Sequence, residues 1–301
     1  MDGRSRDHVG DVRDLVAAGM PGYQVANVVL LGEGLDHVAY EVNGALIVRC
    51  SKEPDPARRA ASVDRDARLL AAVAGIAPLP VPEPRFVIPE QGCLAYAKVP
   101  GVPLLDMPQR GRLAHGASIA ATLGDVLAAL HAVPVGRMVN LVDTDDQPLA
   151  EWRREAAETY PSVAAHVPVA HRRPVEAFLG APPPADGYAP AFSHNDLGIE
   201  HVLVDPETWT VTGVIDWSDA AIVDPAYDLG LVYRDLGPAA LDAALGSYHS
   251  DISDLAMLRE RAVFYARCSV IEDLAHGLGT GKATYVDKSL AAMAWLFPAP
   301  S

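Results

Sequence analysis

The sequence predicts an α+β chain, in which a β-rich N-terminal lobe is followed by a mainly helical C-terminal lobe. Three observations carry this. Residues 27–50 read as three short strands joined by turns, and two further strands follow at 85–88 and 93–99. Ala60, Val63, Ala67, Leu70 and Ala74 recur at helical spacing between those two groups. From about residue 237 the chain reads as helix. The change falls at Pro100-Gly101, so two lobes are expected, 1–99 and 100–301, in a chain of 301 residues that is long enough to hold them.

The N-terminal elements follow from local chemistry. The first strand is expected to end in a glycine turn at Gly32-Glu33-Gly34. The second and third meet at Asn43-Gly44, the pair that accepts positive φ at both centres of a type I′ hairpin. The fourth and fifth turn at Gln91-Gly92, giving five antiparallel strands with one helix near 57–74. Beyond the boundary, an amphipathic helix at about 112–132 ends near Pro134. The prolines of 161–190, Pro182-Pro183-Pro184 among them, predict an irregular connection. Short strands are expected at Val202–Asp205 and Val211–Trp217.

Half of the residues are hydrophobic, which supplies a core and argues against global disorder. The first seven residues are polar and no apolar run follows, so no secretory signal is expected; the apolar run 117–135 is broken by Asp125 and His131. A cytoplasmic protein without a membrane partner is the expectation. Cys50, Cys93 and Cys268 are odd in number and widely spaced, so they read as buried free thiols. The formal charge of −15 excludes a general nucleic-acid-binding surface. It suits either plain solubility or attraction of a polycationic substrate.

Four pieces in order carry chemistry. Gly32-Glu33-Gly34 lies between strands, where backbone N–H groups can approach phosphates without a Cβ in the way. It is no dinucleotide fingerprint, since His37 stands at the third glycine position, and Gly281-Lys282-Ala283 is no Walker A end. Arg49, on the third strand, is a candidate phosphate anchor with Asp66 of the next helix as its ion-pair partner; Lys52 is the competing candidate. His194-Asn195-Asp196, with His201 five residues after the aspartate, follows the spacing of a kinase catalytic loop, in which the aspartate accepts a hydroxyl proton and the later residue holds a metal. Val214-Ile215-Asp216 then reads as an apolar strand ending in a metal-binding carboxylate. His194 reads as a brace for the loop. Zinc on His194, Asp196 and His201 is the other reading, without the helical histidine–glutamate pattern of metalloproteases to support it. Asp224 and Asp228 read as turn and cap residues.

The segment 193–230, SHNDLGIEHVLVDPETWTVTGVIDWSDAAIVDPAYDLG, resembles the signature of the antibiotic phosphotransferases, the aminoglycoside and macrolide kinases. Residues 31–52, 98–104 (KVPGVPL) and 271–278 (IEDLAHGL) are similar to the same family in the same order. His-Asn-Asp with His201 in the metal position is most similar to the 2″-aminoglycoside phosphotransferases. The resemblance implies a protein-kinase-like two-lobed fold, ATP or GTP with Mg2+ in the interlobe cleft, and phosphate transfer to a hydroxyl of a cationic antibiotic. It implies Asp196 as catalytic base and His201 and Asp216 as magnesium ligands. Gly32, Gly34, Arg49 and Asp66 would hold the phosphates. In the hinge, Tyr96 stands where relatives carry a bulky residue beside the base pocket, with Ala97 and Val99 offering backbone groups to the purine. Arg49 and Asp66 replace the family's usual lysine and glutamate. Asp219, Glu272 and Asp273 are the acidic candidates for binding substrate ammonium groups, the last two on a helix expected to face the cleft. A macrolide 2′-phosphotransferase, a housekeeping small-molecule kinase and a nucleotide-binding pseudokinase are the alternatives.

Overall fold

A computed structural model describes residues 3–34, 36–185, 187–249 and 254–299. Its internal contacts divide the chain into two compact units, Met1–Pro100 and Gly101–Ser301.

The N-terminal unit holds α1 (Gly3–Gly19), β1 (Val28–Glu33), β2 (His37–Val42), β3 (Leu46–Ser51), α2 (Pro56–Ala74), β4 (Pro84–Ile88) and β5 (Cys93–Ala97). The strands form one antiparallel sheet in the order β1-β2-β3-β5-β4. Asn43 (φ 55°) and Gly44 (φ 72°) make the predicted hairpin turn. Gly32 and Glu33 stay within β1 beyond a bulge after Leu30, so the strand continues through the expected glycine turn. Asp55 caps α2 by accepting the Arg58 N–H at 2.8 Å, and Pro56 opens the helix.

Helix α1 is absent from the sequence reading because its N-terminal half carries no apolar stripe. Tertiary burial makes it: Val12, Leu15 and Val16 pack on Tyr40, Val42, Leu46, Val48 and Ala95 of one sheet face. The free-thiol reading of the cysteines is corrected for two of them. Cys50 and Cys93 are direct partners across β3 and β5, 4.3 Å apart at Cα, and form a disulfide; Cys268 is free and buried. Counting and spacing miss this pair because strand register, which sequence separation does not report, makes them neighbours.

The C-terminal unit begins with β6 (Val102–Pro103), α3 (Gln109–His131) and β7 (Asp143–Thr144). By length and composition α3 is long and apolar enough to cross a membrane, contrary to the expectation from Asp125 and His131. It lies instead in the core against α6 (Ala226–Leu236) and α7 (Pro238–Ser247), and half of the stretch is buried. Gly124 lets α3 close on α7, because a Cβ there would stand 2.3 Å from the Ala244 carbonyl. Helix α4 (Leu149–Val163) runs into the stretch 161–190 that was expected to be irregular, and α5 (Val169–Gly180) lies within it. Pro161 and Pro174 each interrupt one backbone hydrogen bond, while burial of Tyr160, Val163 and Val175 holds the helices in place. Then come β8 (Ala191–Ser193), β9 (Val202–Val204), β10 (Val211–Val214) and β11 (Ala221–Val223), in two three-stranded sheets ordered β10-β9-β6 and β7-β11-β8. Helices α8 (Leu255–Thr280) and α9 (Ala283–Leu296) complete the unit.

Candidate active site

Residues 194–201 connect β8 to β9, and buried polar groups fix the loop. His194 is fully buried, and its Nε2–H donates to the Ile215 carbonyl at 3.0 Å. Its Nδ1 therefore accepts, and the Asp196 N–H lies 3.3 Å away. Burial, reinforced by His201, pushes His194 down to about 3 and keeps it neutral for both bonds. Asp228, fully buried at the start of α6, accepts the N–H groups of Asn195 (3.1 Å) and Leu197 (3.3 Å). Burial raises its carboxyl to about 6, and the accepted backbone bonds oppose that rise. Asn195 takes φ 63°, which an asparagine tolerates, and its side chain donates to the Asp219 carbonyl at 3.0 Å.

This bracing presents Asp196, whose side chain is 42% exposed. Burial of its surroundings pushes the carboxyl up to about 7, with His201 pulling it down. His201 Nδ1 donates to the Asp196 carbonyl oxygen at 2.8 Å and lies 3.3 Å from Asp196 Oδ2. Its Nε2 lies 3.7 Å from Asp216 Oδ2. Burial works against a charged imidazole here, but Asp196 and then Asp216 outweigh it and hold His201 above its ordinary value. Asp216 is not strand: β10 stops at Val214, and the residue takes φ 62°, turning an exposed carboxylate back toward His201. Ser218 Oγ donates to its Oδ1 at 2.9 Å.

The structure thus brings Asp196, His201 and Asp216 together. Among the described residues no group of three or more metal-ligating side chains occurs. Two donors nonetheless suit a magnesium ion, which keeps waters and takes substrate phosphates for its remaining ligands. The Nε2 lone pair of a neutral His201 and the Asp216 carboxylate are the two groups that could hold it, since the Nδ1 hydrogen is committed to a carbonyl.

Asp196, His201 and Asp216 line a pocket of about 390 Å3 together with Glu200, Tyr227, Arg234, Glu272, Asp273, Lys282 and Tyr285. Glu272 faces the pocket, its carboxyl raised by burial and by neighbouring Glu155. Asp273 is buried and engaged: Ser289 donates to it at 2.7 Å and Lys288 Nζ stands 3.4 Å away. Asp219 is exposed and outside the pocket lining.

In the N-terminal unit, Arg49 and Asp66 approach at 3.8 Å, and Arg49 also meets His37 Nδ1 at 2.9 Å. Lys52 is engaged differently, with Glu33 and the Gly34 carbonyl each at 2.7 Å. Pairing of β3 with β5 sets Arg49 opposite Leu94 and Ile47 opposite Tyr96, on the face away from α1. Ala97 pairs with Leu46, and Val99 is buried. No Cβ obstruction exists at Gly32, and the Gly34 N–H donates to the His37 carbonyl at 2.9 Å.

Sequence reasoning missed the loop-holding role of Asp228, which it read as a turn or cap residue. It also missed Arg234 and Lys288. Asp228 carried a usable signal, an aspartate in an apolar run after Asp224-Pro225; Lys288 carried none, being 88 residues from Glu200, which it contacts.

Residues 27–264 match the family described as APH, phosphotransferase enzyme family. Viomycin phosphotransferase of Streptomyces vinaceus is 27% identical over 290 residues, covering 88% of this chain and 96% of that protein. The fold is that of the GDP complex of wild-type aminoglycoside 2'-phosphotransferase-IIIa, with TM-score 0.68, 21% identity, and 94% of this chain and 96% of that one covered. Macrolide 2'-phosphotransferase MphH from Brachybacterium faecium superposes with TM-score 0.63 at 25% identity, covering 94% and 97% of the two chains.

Proposed function

Because this chain belongs to the phosphotransferase enzyme family, we propose that it moves the γ-phosphoryl group of ATP or GTP to a hydroxyl of a cationic antibiotic, an aminoglycoside in the first instance. The observation that carries the reading is the placement of His201 between Asp196 and Asp216, 3.3 and 3.7 Å from their carboxylates. Asp196 orients the acceptor hydroxyl and takes its proton; a carboxyl raised to about 7 has a proton affinity suited to that at neutral pH. His201 Nε2 and Asp216 would hold Mg2+, which when bound neutralises charge on the phosphates. Arg49, held by Asp66, and the Gly32–Gly34 backbone would steady the phosphates, with Tyr96, Ala97 and Val99 at the purine. Transfer through a loose transition state needs mainly this positioning and charge neutralisation. Glu272 offers a carboxylate to a substrate ammonium group.

A second reading, a macrolide acceptor, has two supports. The macrolide 2'-phosphotransferase likeness is one. The other is Asp273, whose engagement by Ser289 and Lys288 leaves the pocket with fewer carboxylates for a polycation.

The test is transfer of labelled γ-phosphate from ATP and GTP to kanamycin, gentamicin, viomycin and erythromycin, with product mapping. Magnesium-dependent transfer lost in Asp196→Asn is the expected result. Nucleotide binding without transfer to any of these antibiotics would overturn the proposal; absence of magnesium-dependent hydrolysis as well would favour a pseudokinase, and transfer to a metabolite a housekeeping kinase. Transfer to erythromycin alone would select the second reading.

A further inference from the structure

Beneath the pocket lies a buried network of charges that the reaction itself does not use. Lys288 on α9 is 5% exposed. Its Nζ stands 3.1 Å from Glu200 Oε2, 3.4 Å from Asp273 Oδ1 and 3.5 Å from Asp235 Oδ1, and 4.8 Å above the Tyr285 ring. Arg234 grips Asp235 with Nε at 2.8 Å and a second nitrogen at 2.9 Å, and approaches Asp273 at 4.0 Å. The other oxygen of Asp235 accepts the Ile199 N–H at 3.2 Å.

These contacts have a direction. Asp235 and Lys288 hold Ile199 and Glu200, the two residues immediately before His201. The His201 N–H is in turn bonded to the Gly198 carbonyl at 3.0 Å. Asp228 fixes the loop at Asn195 and Leu197, so the two anchors bracket it, one at each end. A buried carboxylate deprived of its cation is strongly unfavourable and draws its segment toward water. Glu200 and Asp273 both line the open pocket, but Asp273 keeps Ser289 and Arg234 when Lys288 is removed, so Glu200 is the network member with such a route. Its carboxyl is held low by Lys288 against the burial that would raise it.

We infer that Lys288 is a positioning residue for phosphoryl transfer: through Glu200 it sets the Ile199–His201 turn and so the aim of the His201 imidazole between Asp196 and Asp216. This rests on the function proposed above, and Lys288 itself lies outside the pocket lining. Because misplacement by about 1 Å can lower a rate about a hundredfold, the effect belongs in kcat rather than in binding.

The experiment compares Lys288→Met, Glu200→Gln and the double variant by steady-state kinetics and by the 15N imidazole spectrum, with His201 assigned through His201→Asn. Lys288→Met should lower kcat about tenfold or more, with nucleotide KM held within about threefold. The double variant, which removes the orphaned charge, should recover most of the loss. In Lys288→Met the His201 signals should move while those of His131 and His171 stay. Glu200→Gln leaves Lys288 its partners Asp235 and Asp273, so it tests the link even where Lys288→Met does not fold: it should shift the His201 signals and lower kcat. Unchanged kcat and His201 signals in Glu200→Gln would overturn the inference. So would a kcat loss in Lys288→Met that the double variant does not recover. If the wild-type chain transfers no phosphate, the functional reading fails, and the imidazole spectra alone decide the positioning claim.

Discussion

The imidazole of His201 donates its Nδ1 hydrogen to the backbone oxygen of Asp196, 2.8 Å away. A carbonyl can only accept, so this bond puts a hydrogen on Nδ1, and in the neutral ring the Nε2 lone pair is left toward Asp216. His201→Ala should therefore raise the magnesium concentration for half-maximal activity by about tenfold or more. His201→Asn, which returns an oxygen donor suited to a hard cation, should fall between that variant and the parent. A magnesium titration of initial rates checks both, and an unaltered requirement in His201→Ala would remove His201 from the metal.

Arg49 and Lys52 are separated as phosphate anchors by their partners. Arg49 stands beside Asp66 on the sheet face away from α1, whereas Lys52 is engaged by Glu33 and the Gly34 carbonyl. Arg49→Met should raise nucleotide KM by about tenfold, about 1.4 kcal/mol of binding, and Lys52→Met by clearly less. Equal effects on KM, read in an ADP-release assay, would return Lys52 to candidacy.

Asp228 accepts two backbone N–H groups of the catalytic loop from a fully buried position. Asp228→Ala leaves both without an acceptor, at about 1–3 kcal/mol each. The variant should unfold at lower denaturant concentration and lose most activity even at temperatures where it stays folded.

His131 is half-buried between Tyr248 Oη (2.6 Å) and Ser193 Oγ (3.1 Å), and desolvation pushes it down to about 3. Its folded value lies below the unfolded one, so the unfolded chain binds the extra proton first. The neutral histidine's contribution is present above pH 6.5 and is lost as pH falls toward the folded value. Between pH 7.5 and 5 the loss from this one group is about 2 kcal/mol. Denaturant unfolding across that range should show the decline, and His131→Gln should flatten it; an equal slope in the variant would assign the acid sensitivity elsewhere.

Much of the fold was legible because it rests on local rules. Asn43-Gly44 specifies a hairpin through positive φ, and the helical spacing of Ala60, Val63, Ala67, Leu70 and Ala74 marks α2. Helix α1 and the helices α4 and α5 were not legible, because tertiary burial of a few residues such as Val16, Val163 and Val175 makes them.

At the site, the sequence by itself determined the order of the chemical groups: Asp196, His201 five residues on, and Asp216 beyond two short strands. The first two share one connected loop and the third follows the hairpin that leaves it, so the order can be read along the chain. Only the tertiary structure decided what surrounds these groups. Register joined Cys50 to Cys93, and the packing of α9 brought Lys288 to Glu200 and Asp273. Asp273 thereby became part of the pocket floor, although its position on the helix alone suggested a substrate contact. The reason is that a buried charge is governed by its nearest opposite charge in space, and sequence separation carries no information about that distance.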